Sequence, residues 1–148
     1  MKEYEIRKLD KTEIDNIMKI WYEANIEVHS FVDYKHWKDI FDRVRSKLEN
    51  KENIYVYRED DIIKGFICMD EENYISELYV DKEYRSCGIG SILINYLKEN
   101  NYELSLHVFK KNEKAVKFYL RQGFNIVNEE LEEETNEMGY FMKWEKKI

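Results

Sequence analysis

Residues 73–100, NYISELYVDKEYRSCGIGSILINYLKEN, leave this chain few folds to adopt. Tyr74 to Val80 is rich in β-branched and aromatic residues and reads as a strand. Ile89, Ile92, Leu93, Tyr96 and Leu97 then recur at i, i+3, i+4, i+7 and i+8, the spacing of one helix face. Only a short polar loop, Arg85-Ser86-Cys87-Gly88-Ile89-Gly90-Ser91, separates the two. Its two glycines remove the Cβ atoms that would keep a ligand from the backbone, where the first helical turn leaves its N–H groups unpaired. Unpaired amides, the positive end of a helix dipole and an arginine together suit a phosphate or pyrophosphate. A strand feeding directly into such a helix implies a mixed α/β fold.

Glycine pairs also occur in ordinary tight turns, so the loop by itself leaves a plain turn open. A P-loop is excluded because no Lys-Ser/Thr follows the last glycine, and a dinucleotide fingerprint because its third small residue is Leu93 here. What remains, Arg-x-x-Gly-x-Gly after a strand ending Leu78-Tyr79-Val80, resembles the acetyl-CoA signature of the GNAT superfamily of N-acyltransferases.

The rest of the chain supplies the remaining elements. Tyr4–Lys8 reads as a short strand, and Asp10 caps a helix whose apolar face is Ile14, Ile17, Met18 and Trp21. Leu9 and Ile14 occupy hydrophobic-staple positions and Glu13 that of a capping-box acid. A second helix starts after Asp33 with Trp37, Ile40, Phe41, Val44 and Leu48 on one face, and residues 25–32 join the two helices. Residues 54–57 and 62–69 form a hairpin across Glu59-Asp60-Asp61, with a bulge marked by Gly65. Residues 104–109 alternate as a strand, Asn112 caps a helix that Gly123 closes, and strands 124–131 and 138–144 follow. The order is β-α-α-β-β-β-α-β-α-β-β. No linker or repeat interrupts it, so the 148 residues are expected to form one domain.

This order is similar to that of the GNAT fold, and a second segment strengthens the resemblance. Asn112-Glu113-Lys114-Ala115-Val116-Lys117-Phe118-Tyr119-Leu120-Arg121-Gln122-Gly123-Phe124 resembles the family's Asn-x-x-Ala-x-x-Phe-Tyr-x-x-x-Gly-Phe at every named position. Seven residues of helix turn through nearly two revolutions and rise about 10 Å, so Asn112 and Tyr119 share a face and reach one extended ligand at two points. The resemblance implies an acetyl-CoA-dependent N-acetyltransferase. Arg85, Ser86, Cys87, Gly88, Ile89, Gly90 and Ser91 would hold the pyrophosphate, Leu78, Tyr79 and Val80 would pair with the pantetheine arm, and Asn112 and Tyr119 would contact the cofactor. A backbone N–H near Tyr79 or Val80 would serve the thioester oxygen, and Tyr119 would protonate the leaving thiolate. Two positions depart from the family pattern: Lys82 stands where proline is frequent, and Cys87 where basic residues are common.

An amine acceptor with a pKa near about 10.4 is mostly protonated at neutral pH, so the reaction requires a base. Three residues compete. Glu77 shares a face of the central strand with Tyr79. His107 lies on the next strand, where some members that acetylate protein amines carry glutamate. His29 lies in a segment that, with Trp21 and Phe31, resembles the acceptor-pocket lining of small bacterial members. The acidic run 129–134 is either an acceptor-steering lip or an ordinary solvated hairpin.

A net charge of −7 argues against a nucleic-acid binder and is compatible with a cationic acceptor, a small molecule or a peptide. No apolar h-region begins at Met1 and no run is long enough to span a bilayer, so no membrane partner and a cytoplasmic location are expected. Two cysteines, Cys68 and Cys87, make neither a disulfide framework nor a metal site. No metal is therefore expected, and the assembly is a monomer or a homodimer. Two other readings stay open: a regulatory acyl-CoA-binding domain without turnover, and an acyltransferase that uses a longer acyl donor.

Overall fold

The structure, a computed structural model, describes residues 3–147. Met1 and Lys2, on which the expectation about an apolar leader bears, lie outside them, as does Ile148. Seven strands and four α-helices follow in the expected order: β1 (Tyr4–Lys8), α1 (Ile14–Val28), α2 (Tyr34–Glu49), β2 (Ile54–Glu59), β3 (Ile62–Asp70), β4 (Tyr74–Val80), α3 (Ile89–Lys98), β5 (Glu103–Phe109), α4 (Glu113–Arg121), β6 (Asn125–Glu132) and β7 (Glu137–Glu145). The strands form one sheet in the order β1-β2-β3-β4-β5-β7-β6. All neighbours are antiparallel except β4 and β5. No helix of the described residues is long and apolar enough to cross a membrane.

The helices cover both faces. Ile14, Ile17, Met18, Trp21 and Trp37 of α1 and α2 pack with Val56, Phe66 and Cys68 of the sheet, while Ile89, Leu93, Ile94 and Leu97 of α3 pack with Ile67, Ile75, Leu104 and Leu106 on the other side. This is the division that the helix spacing and strand alternation anticipate. Two local readings need correction. Asp10 and Glu13 do form a capping box, but it closes a 3-10 turn, Lys11–Glu13, and α1 begins only at Ile14. Residues 25–32 are not all connection, because α1 continues to Val28. The Asn25 amide donates to the Trp21 carbonyl one turn back, at 2.9 Å, so this asparagine does not compete with the helical backbone.

The feature that creates a site lies between β4 and β5. Their parallel pairing covers only Tyr74 with Ser105 and Ile75 with Leu106. Directly afterwards β4 carries an extra residue: Met69 faces Ile75 and Cys68 faces Glu77, leaving Ser76 as a bulge. The bulge changes the strand's phase. Ile75 packs on the α3 side and Tyr79 on the α1 side, although strict alternation would put them together. The bulge expected at Gly65 is present one residue away, at Lys64, between Ile63 opposite Arg58 and Gly65 opposite Tyr57.

Candidate active site

Beyond the bulge the two strands diverge, and a cleft of about 1130 Å³ opens between them. Its walls come from the end of α1, the loop before α3, the start of α4 and the tip of the β6–β7 hairpin. Glu77 to Val80 have no strand partner on the β5 side among the described residues, which leaves a backbone edge along the cleft.

The loop at one end opens an uncapped helix start, and its glycines are there for reasons partly different from those read in sequence. The N-cap of α3 is Gly88, and no side chain caps the helix. Its first amides are therefore unspent. Gly88 has φ +84° and a Cβ there would meet nothing within 4 Å, so glycine is required by the backbone conformation and not by crowding. A Cβ on Gly90 would come within 3.1 Å of the Phe118 ring, so that glycine serves the packing of α3 on α4 instead of ligand approach. Arg85, Ser86, Gly88, Ile89, Gly90 and Ser91 line the cleft; Cys87 does not, and its thiol turns back to the Arg85 carbonyl. The Arg85 guanidinium donates to Glu27 of α1 at 2.9 Å and to the Val80 carbonyl at 3.3 Å.

A polar chain crosses the cleft from wall to wall. Asn112, the N-cap of α4, accepts from the Ala115 N–H, which turns its amide nitrogen toward His29 Nε2 at 3.2 Å. His29 Nδ1 lies 2.8 Å from Asn25 Oδ1, which also accepts from the Tyr79 hydroxyl at 3.3 Å. Because Asn25 Oδ1 is an acceptor, the proton of neutral His29 is on Nδ1 and Nε2 is the acceptor. Burial pushes the imidazole down to about 4. His29 also packs against Phe31, Trp37 and Phe109. Its one lone pair is committed and its charged form is disfavoured, so the geometry argues against His29 as the base. Trp21, expected at the acceptor pocket, is 2% exposed, stacks edge-on with Trp37 and Phe41, and lies outside the cleft lining. Phe31 lies outside it too, and supports the wall through His29 and Phe109.

The interior holds the titratable groups. Glu77 and Tyr119 both line the cleft. Burial pushes the Glu77 carboxyl up to about 8, opposed by Lys47 and reinforced by Asp70. Burial also raises Tyr119 well above the ordinary phenol range, and the Glu77 carboxyl adds to it. Tyr119 is therefore a neutral donor at any ordinary pH. The third candidate, His107, is held on both nitrogens: Nδ1 lies 2.7 Å from the Tyr74 hydroxyl and Nε2 is bonded to Glu130 of β6.

The acidic run is less free than its composition suggests. Glu129 pairs with Lys110 at 2.7 Å and Glu134 with Arg43 at 2.9 Å, while Glu132 accepts from Thr135. Glu130, Glu132 and Glu133 reach the cleft. Sequence reading missed Asn25, Glu27 and Tyr74, and took Glu130 only as part of the acidic run. For Asn25 a signal existed: Trp21, Asn25 and His29 are spaced four apart, which stacks them if the helix simply continues. Tyr74 and Glu130 meet His107 only through strand pairing, which no local spacing announces. Among the described residues no group of three or more His, Cys, Asp or Glu is set to hold a metal.

Four likenesses, to one family and three proteins, bear on this site. A family model described as an acetyltransferase (GNAT) domain matches residues 21–144. The peptidyl-lysine N-acetyltransferase YiaC of Escherichia coli is 31% identical over 140 residues, covering 94% of this chain and 95% of that protein. Among solved structures, apo YjaB from Escherichia coli superposes with a TM-score of 0.85 at 24% identity, covering 96% of this chain and 97% of that one. The paiA N-acetyltransferase of Thermoplasma acidophilum, solved in complex with coenzyme A, superposes with a TM-score of 0.80 at 20% identity, covering 97% and 99%.

Proposed function

The chain belongs to the GNAT acetyltransferase family, and from that premise we propose that it moves an acetyl group from acetyl-CoA to the ε-amine of a lysine in a peptide or protein. The observation that carries the reading is the cleft, with an uncapped helix start at one end and both a raised carboxyl and an un-ionised phenol on its lining. The residues present suit the donor: the first turn of α3 and Arg85 meet the charge of a pyrophosphate, and the open edge of β4 from Glu77 to Val80 suits an extended pantetheine arm as an added strand. When bound, acetyl-CoA supplies an activated thioester. The lysine acceptor is supported by the relative YiaC, whose name gives it that substrate.

Each residue then has a task. Glu77 takes a proton from the acceptor ammonium, directly or through a water; its pKa of about 8 lies between neutrality and that of lysine, a suitable position for a base working on such an amine. A backbone N–H of Tyr79 or Val80 stabilises charge on the thioester oxygen. Tyr119 donates to the departing sulfur. The network through Asn25, His29 and Asn112 holds β4 and α4 at a fixed spacing, so that these groups stay aligned. The test is a thiol-release assay with acetyl-CoA across lysine peptides and small amines, followed by mapping of the modified atom. Acetylation of a lysine side chain is expected; release of thiol only with small polyamines or aminoglycoside-like amines would contradict the lysine assignment.

A further inference from the structure

A second cavity, of about 500 Å³, lies beside the cleft and is lined by Lys51, Asp70, Glu71, Glu72, Ser105 and Phe141 together with Tyr74 and His107. Tyr74 and His107 are the two residues that line both spaces, so they form the partition between the reaction site and this outer opening. Along that partition runs a hydrogen-bonded row that ends at Glu130, on the cleft side. Glu130 Oε1 can only accept, so His107 Nε2–H donates to it, His107 Nδ1 is then the acceptor, and the Tyr74 hydroxyl donates to Nδ1 at 2.7 Å. Phe141 fixes the imidazole plane from one side, with ring centroids 5.0 Å apart. Tyr74 is sunk in the partition, whereas the side chains of His107 and Glu130 are 43% and 49% exposed. The row thus begins at a half-buried phenol and ends at an exposed carboxylate on the cleft lining.

The reaction needs such a path. In R–NH3⁺ + acetyl–S–CoA → R–NH–acetyl + CoA–SH + H⁺, an N–C bond forms and a C–S bond breaks. Of the three ammonium protons, one stays on the amide, one ends on sulfur, and one must reach water. Tyr119 gives its proton to sulfur and is refilled by the second proton leaving the amine, but Glu77, once protonated in the cleft by the first, must be emptied before the next turnover. We propose that Tyr74, His107 and Glu130 are the proton exit of this site: Tyr74 takes the proton at Oη while passing its own to His107 Nδ1, and His107 passes its Nε2 proton to Glu130. The arrangement follows the logic of a hydroxyl, an imidazole and an orienting carboxylate, used to carry a proton outward. The bulge at Ser76 is what permits it, because it brings Glu77 onto the face where Tyr74 and His107 lie, and all three line the cleft. Facing the row from other elements are Lys51 after α2 and Asp70, Glu71 and Glu72 before β4.

This inference rests on the acetyl-transfer reading, and the experiment separates the two. Steady-state acetylation of a lysine peptide is measured for the wild type, Tyr74→Phe, His107→Ala and the double variant, with CoA binding by calorimetry as the check on folding. Tyr74→Phe and His107→Ala should each lower kcat about a hundredfold, the range of a lost proton-transfer group, with KM for acetyl-CoA unchanged. The double variant should be no slower than the slower single variant, since both break one path. Added imidazole, which the outer cavity has room to admit, should restore part of kcat to His107→Ala and none to Tyr74→Phe. A Tyr74→Phe protein with wild-type kcat, or a double variant slowed by the product of the single losses, overturns the exit while leaving acetyl transfer standing. A wild type that acetylates no amine overturns the acetyl-transfer reading, and the exit with it.

Discussion

Acid should loosen this protein through His29, and the size of the effect follows from its surroundings. In an unfolded chain the imidazole titrates near 6.5; in the fold, burial among Phe31, Trp37 and Phe109 holds it at about 4. A histidine whose folded value is depressed favours the fold fully above its unfolded pKa, and that contribution fades as pH falls below 6.5 and through 4. At about 1.36 kcal/mol per pKa unit, the difference in stability attributable to His29 between pH 7 and pH 4 is about 3 kcal/mol, of which about 1 kcal/mol is already lost at pH 5.5. His29→Gln removes the titration while keeping one donor and one acceptor for Asn25 and Asn112. The variant will be less stable at pH 7 because the ring is gone, so the quantity to read is the gap between wild type and variant. Urea unfolding at pH 7, 5.5 and 4 should show that gap shrinking by about 3 kcal/mol across the range, a large fraction of a small domain's stability. Parallel pH profiles for the two proteins would mean that His29 is not held neutral by burial, and the account of the wall-to-wall network would fail with it.

Three further outcomes are expected. Tyr119→Phe should lower kcat by a factor of about 10² to 10⁴ with little change in the dissociation constant for acetyl-CoA, and undiminished kcat on a genuine acceptor would show the hydroxyl to be dispensable. In the wild type kcat/KM for the amine should rise through pH of about 8 as Glu77 ionises, whereas Glu77→Gln should be slow and lack that rise; a variant that keeps it places the base elsewhere. Gly88→Ala should destabilise by about 1–2 kcal/mol through its left-handed backbone alone, while Gly90→Val should displace Phe118 and weaken CoA binding and stability together, both readable by calorimetry and thermal unfolding.

The element order and the starts of α3 and α4 were legible because each is local: helix spacing, N-caps at Asp33 and Asn112, and glycine at a helix start all act within a few residues. The α1–α2 junction was misjudged because Asn25 looks like a loop residue until its side chain is seen bonded to Trp21. The reasons for the two glycines were not legible, since one depends on a φ angle and the other on Phe118, 28 positions away. Trp21 was expected to face a ligand on the strength of its segment's resemblance to an acceptor-pocket lining; packing against Trp37 and Phe41 decided otherwise. The partnership of Tyr74, His107 and Glu130 depends on β5 lying between β4 and β7 and on the register of β6, which is tertiary information. Charge was the least informative feature, because Glu129 and Glu134 turned out to have cationic partners.

The central claim is that the cleft between β4 and β5 seats the donor with its sulfur beside Tyr119, and a crystal structure of the protein with CoA tests it most directly. The account predicts the pyrophosphate on the first-turn amides of α3 with Arg85 turned away from Glu27, the pantetheine arm paired along Glu77 to Val80, and the thiol within hydrogen-bond reach of the Tyr119 hydroxyl. CoA seated with its thiol outside the cleft, or with its pyrophosphate away from Gly88 and Gly90, would contradict it.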